Sequence, residues 1–96
     1  MDGELMRRRL ILTGAVQGVG LRWRARYAAQ AVGATGWVRN EADGSVTMEL
    51  QGSEAQIDRV LQALEQGRYI QIEELRVSRV PTEPEERGFG TLDDGD

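Results

Sequence analysis

The run Gly14-Ala15-Val16-Gln17-Gly18-Val19-Gly20-Leu21-Arg22 lies between two patterns that ask for different backbones. Before it stands the apolar triplet Leu10-Ile11-Leu12; after it, apolar residues recur with a helical period. The run is therefore a strand-to-helix loop, and the chain opens on a β-α unit. Glycines at 14, 18 and 20 allow positive φ and close approach of a ligand. No proline interrupts the loop, so each residue keeps an N–H donor, and amides in such a loop can curl around an anion as a nest.

The helix that follows starts against the usual rules. Ser, Thr, Asp and Asn, the ordinary side-chain caps, are absent from 14 to 22, which leaves the first helical N–H groups without an obvious partner. Arg22, Arg24 and Arg26 put cations at the positive end of the helix dipole, each at a cost of about 0.3–1 kcal/mol. An anion held between the amides and Arg22 would answer both faults. A glycine-rich turn leading into a solvated arginine face accounts for the glycines equally well, and Arg24 and Arg26 are expected to face solvent. Nucleotide motifs do not fit. The P-loop needs Gly-Lys-Ser/Thr and the chain has no lysine, while a dinucleotide fingerprint begun at Gly18 would need glycine where Trp23 stands.

Outward from the loop, 96 residues make one domain over 1–96, with a core over about 8–92 and an acidic tail at 93–96 that is expected to fray. Residues 10–12 form a short central strand, and Arg7-Arg8-Arg9 read as the polar lead-in to an edge or surface strand. The first helix spans about 22–32 and stops at Gly33, with Trp23, Tyr27 and Ala31 as its core stripe, widened by Ala28 and Val32. A second strand covers 36–40, a hairpin turn 41–44, and a third strand 45–50. In that third strand Val46, Met48 and Leu50 alternate with polar residues, the pattern of a sheet wet on one side. Ser53 and Gln56 form a capping box for a second helix, whose core face is Ile57, Val60, Leu61 and Leu64 and which ends at Gly67. A fourth strand over 69–80 changes phase at Glu73-Glu74, which implies a bulge or break; a charged loop and a short fifth strand over 88–92 follow. The order β-α-β-β-α-β predicts an α+β, ferredoxin-like split βαβ sandwich: an antiparallel sheet with two helices on one face.

Composition narrows function. Cysteine and histidine are both absent, which removes thiolate chemistry, the commonest general base and the usual soft metal ligands; neither a metal nor a cofactor is expected. The net charge of −4 argues against nucleic-acid binding by bulk charge. An RNA-binding sheet would need clustered aromatics in a basic surround, whereas Trp37, Tyr69 and Phe89 are scattered. No apolar stretch approaches a signal-peptide core or a membrane span, so a cytoplasmic, membrane-free monomer is the expectation.

Gly14-x-Val16-Gln17-Gly18-Val19-Gly20-x-Arg22, then Gly36-Trp37-Val38-x-Asn40, then Asp43-Gly44-x-Val46, resembles the acylphosphatases over about residues 8–92. Leu21 departs from that family's usual phenylalanine. The resemblance implies the ferredoxin-like fold and hydrolysis of small acyl phosphates without metal. It also implies that Arg22 and the amides of Val16, Gln17, Gly18, Val19, Gly20 and Leu21 bind phosphate while Asn40 orients the attacking water. Apart from the resemblance, Asn40 also suits a hairpin entry. Asp43 and Glu41 read as turn chemistry and a solvated side chain. The alternative function is a non-catalytic phosphate-binding or regulatory module, as carried by carbamoyl-transfer maturation proteins. Those often have proline directly after the arginine and a long chain beyond, whereas here Trp23 follows Arg22 and the sequence stops at Asp96.

Overall fold

The computed structural model describes residues 4–92; the expectations for the first residues and for the acidic tail at 93–96 fall outside the described residues. Its elements are β1 (Met6–Ala15), α1 (Leu21–Val32), β2 (Thr35–Asn40), β3 (Val46–Gly52), α2 (Glu54–Glu65), β4 (Gln71–Val80) and β5 (Phe89–Thr91). Strand order β4-β1-β3-β2-β5 places the opening strand inside the sheet, between β4 and β3. Four strands pair antiparallel as expected, but β5 lies parallel to β2, so the sheet is mixed.

The core forms where the helices cover the sheet. Leu10 and Leu12 of β1, Val38 of β2, and Val46, Met48 and Leu50 of β3 are sealed from solvent together with Ala25 and Ala29 of α1 and Val60 and Leu64 of α2. At about 25 cal/mol per Å² of apolar surface removed from water, this shared face is the main favourable term in folding. The phase change at Glu73-Glu74 is a bulge: Thr13 pairs with Glu74 and Gly14 with Ile72, leaving Glu73 without a partner across the strand.

Four expectations need correction. Strand β1 is ten residues long and contains the arginine triplet instead of following it. Arg7, only 3% exposed, donates Nε to Glu49 Oε1 at 2.7 Å and pairs through both terminal nitrogens with Glu86 at 2.7 and 3.0 Å. The sheet face away from the helices is therefore not wet throughout. Segment 81–88 connects β4 at one edge to β5 at the other, and it is held down by Arg7 and by Gln51, which exchanges hydrogen bonds with the Glu83 main chain at 2.7 and 3.0 Å.

The third correction concerns α1. Its buried face is Leu21, Ala25 and Ala29, while Trp23 and Tyr27 are 65% and 56% exposed. Alanines let α1 lie close to its neighbours, and the two aromatics project from the opposite side. Arg24, fourth, is half-buried and donates to the Ala63 carbonyl near the end of α2 at 3.2 Å; Arg26 faces solvent as expected.

Candidate active site

The loop between β1 and α1 has the backbone that its glycines imply. Gly18 and Gly20 take φ of 73° and 82°, and among the described residues, chain neighbours aside, nothing lies within 4 Å of where a Cβ would stand at either position. The requirement there is conformational: a side chain at Gly20 would meet no obstacle but would have to adopt the left-handed region, at roughly 1–2 kcal/mol. The space beside both glycines is open to a ligand.

Gly20 is also the N-cap of α1, and no side chain caps the helix there. Among the described residues, no main-chain hydrogen bond outside the helices and strands has its donor between Val16 and Gly20. The amides expected to form a cradle are thus free of main-chain partners in the described structure. Val16 and Leu21 anchor the two ends of the loop by burying their side chains in the core, and Val19 packs against it. Leu21, in the place usual for phenylalanine, fills core volume at the first helical position. Arg22 follows it, half-buried, in a first turn that contains no acidic residue and where the helix dipole is positive.

Asn40 is the last residue of β2. It pairs across from Val46 and so shares the helix-covered face with that core residue. It is 8% exposed, and its Oδ1 is buried with no hydrogen-bond partner among the described residues. A buried acceptor without a donor costs about 1–3 kcal/mol, so it needs an explanation.

One side chain ties the two halves of the site together. Gln17 Nε2 donates to the carbonyls of Glu41 and Ser45, each at 2.8 Å, and so fixes the loop to the hairpin directly after Asn40. The sequence points only to the main-chain amide of Gln17. The available signal was a long amide inside a small-residue loop, where a self-contained turn would carry Asn, Asp or Ser. The hairpin is set by Asp43, whose carboxylate accepts from Ser45 Oγ at 2.6 Å and Ser45 N at 2.9 Å; those bonds hold its pKa below the usual range. Glu41 pairs with Arg39 Nη2 at 3.0 Å. Both acids have the turn and surface roles expected of them. Among the described residues no group of three His, Cys, Asp or Glu side chains is placed to hold a metal, and no helix is long and apolar enough to cross a membrane.

Comparison with known proteins agrees with this arrangement. The sequence profile of the Acylphosphatase family matches residues 8–91. An acylphosphatase of Bifidobacterium longum is 39% identical over 91 residues, covering 93% of this chain and 94% of that one. The crystal structure of acylphosphatase from Bacillus subtilis superposes with a TM-score of 0.82 at 27% identity, covering 93% of this chain and 99% of that one. Full-length HypF in its phosphate- and nucleotide-bound form gives a TM-score of 0.84 at 25% identity, covering 99% of this chain but 13% of that protein. With the profile spanning the cradle loop, the Asn40 strand and the hairpin alike, the chain belongs to the acylphosphatase family.

Proposed function

We propose that this acylphosphatase splits the carboxyl–phosphate bond of small acyl phosphates by direct attack of water. In this reading Arg22 and the amides of Val16, Gln17, Gly18, Val19, Gly20 and Leu21 hold the phosphoryl oxygens. Asn40 aims the water at phosphorus. The observation that carries the reading is the buried, unpartnered Oδ1 of Asn40, one residue from the backbone that Gln17 ties to the loop. A water bound there would donate to Oδ1 and keep a lone pair for phosphorus.

The chemistry suits a site with no histidine. The leaving carboxylate has a conjugate acid of pKa about 4, so its departure needs no general acid. Phosphoryl transfer depends mainly on positioning and on stabilising charge over the transferring oxygens. A guanidinium meets two of those oxygens at once and stays charged throughout. Asn40 cannot take up a proton, so the proton of the attacking water passes to a non-bridging phosphoryl oxygen. The P–O bond to the carboxylate breaks as the new P–O bond forms, and the products are a carboxylate and inorganic phosphate. No metal enters. The unit is a single domain over 1–96, a cytoplasmic monomer acting on small solutes and not on nucleic acid; the acidic net charge of −4 supports the last point.

The second reading, a non-catalytic phosphate-binding module, draws support from the likeness to one part of HypF. One assay separates the two. Release of inorganic phosphate from acetyl phosphate is measured with chelator in excess, and turnover is expected to persist. A protein that binds phosphate but shows no turnover is the module instead, and turnover that vanishes with chelator contradicts the metal-free route.

A further inference from the structure

Trp23 and Tyr27 are the largest side chains of α1, and both lie outside the core. Leaving two large aromatics in water forgoes burial that the smaller Ala25 and Ala29 receive on the same helix. The pair is organised all the same. The ring centroids are 4.1 Å apart with the planes tilted by 52°, so each ring limits the freedom of the other. Trp23 comes directly after Arg22 in the first turn. Helical side chains lean toward the N-terminus, so an aromatic at position 23 covers the turn before it, on the side of the loop. Tyr27, one turn further on, supports it from behind.

Granting the phosphate site proposed above, we propose that Trp23 and Tyr27 form a stacking shelf for the acyl group, biasing the enzyme toward acyl phosphates with a planar aromatic acyl part. An acyl phosphate held at the loop must project its carbon portion away from the amides. A flat, apolar acyl group leaving along α1 meets the indole face. An acetyl group is too short to cover it. The indole takes no part in the bond change; it positions the acyl group and adds binding that is retained in the transition state.

The test uses the whole chain and two substrates, benzoyl phosphate and acetyl phosphate, in wild type, Trp23→Ala, Trp23→Phe and Tyr27→Ala. The readout is the ratio of the two kcat/KM values, which cancels general damage to the cradle. Trp23→Ala is expected to lower the benzoyl-to-acetyl ratio about fivefold to tenfold, the scale of one lost aromatic contact. Trp23→Phe should keep most of the ratio, and Tyr27→Ala should lower it about twofold. A second arm reads binding alone, as the affinity for phenylphosphonate relative to methylphosphonate, and the same ordering is expected. Ratios that do not move in either arm overturn the shelf and leave the catalytic reading standing. Wild type that hydrolyses neither substrate overturns the catalytic reading, and the phosphonate arm still decides the shelf.

Discussion

The two helices begin in opposite ways. Each has 12 residues and contributes to the same core. At the start of α2, Ser53 Oγ accepts from Gln56 N at 3.2 Å and Gln56 Oε1 accepts from Ser53 N at 2.7 Å, with Glu54 in the first turn. Gln56 Nε2 also donates to the Val32 carbonyl at 2.7 Å, so the same residue closes the far end of α1. At the start of α1 the cap is Gly20, the first turn has no acid, and Arg22 stands where the dipole disfavours a cation. Both helices had the same capping rules open to them, and only α2 follows them. An uncapped terminus beside open space suits an anionic ligand, whereas a terminus closed by a capping box serves stability.

The largest effects are expected at the uncapped start. Arg22→Ala should lower kcat/KM by about 10³-fold or more, the scale for removing a guanidinium from a phosphoryl-transfer site. Arg22→Lys should fail badly too, because an ammonium cannot present the planar fork. Asn40→Ala should lose turnover by about 10²–10³-fold while keeping its affinity for inorganic phosphate. The check is thermal melting with phosphate. Ligand at 100 times its Kd adds about 2.7 kcal/mol of stability, so Tm should rise in wild type and in Asn40→Ala but not in Arg22→Ala. Equal phosphate shifts in wild type and Arg22→Ala would refute the clamp and, with it, the functional half of the contrast.

Arg7 is a second arginine, buried in the sheet and paired with Glu49 and Glu86. Its hydrogen bonds to Glu86 raise its pKa, against the opposing effect of burial. Burial pushes the Glu49 carboxyl up, but hydrogen bonds from Arg7 and Arg9 more than offset this and hold it below the usual carboxylate range; Glu86 behaves alike, with Arg7 as the main donor. Arg7→Met takes the arginine partner from Glu86 and leaves Glu49 with Arg9 alone. It should cost about 2–3 kcal/mol, below the 3–5 kcal/mol of a fully buried pair because Glu86 keeps some solvent. Both acids bind protons less readily folded than unfolded, so their contribution is complete above the unfolded carboxylate range near pH 4.3. It is lost as pH falls through the lower folded values. The Tm of wild type should therefore fall more steeply between roughly pH 5 and 3 than the Tm of Arg7→Met.

Much of this was legible because local chemistry and fold agree. The capping box at Ser53 and Gln56, the stop at Gly33, the hairpin at Asp43-Gly44 and the bulge at Glu73 each have a short-range cause and stand where the sequence places them. Gly36 shows a longer-range cause: a Cβ there would lie 1.8 Å from the Glu49 carbonyl oxygen, so the strand pairing itself demands glycine. The errors arose where two patterns competed. In α1 both Leu21-Ala25-Ala29 and Trp23-Tyr27-Ala31 repeat every four residues, and side-chain size favoured the wrong stripe. Close packing favours alanine there, and only the tertiary structure shows that. The burial of Arg7 has no local signal, because its partners Glu49 and Glu86 are 42 and 79 residues away in sequence. The family motif is legible in the sequence, and the family profile covers it. The Gln17 bonds to the hairpin are not, since no local rule links a loop amide to carbonyls 24 and 28 residues on.

The smallest effect belongs to the capped start, and it tests the other half of the contrast. Ser53→Ala removes one acceptor and leaves Gln56 able to reach both Ser53 N and the Val32 carbonyl. The expected cost is about 1 kcal/mol, which lowers Tm by about 5 °C in a domain of this size. Gln56→Ala should cost more, because it opens the box and unties the end of α1 together. Neither change should alter kcat/KM at a temperature where the variants are folded. Gln56 meets α1 at Val32, ten residues and about 15 Å of helix from Arg22. Loss of activity in folded Ser53→Ala would mean that the two helix starts are coupled through the layer, and the division between a terminus kept for stability and one kept for a ligand would not hold.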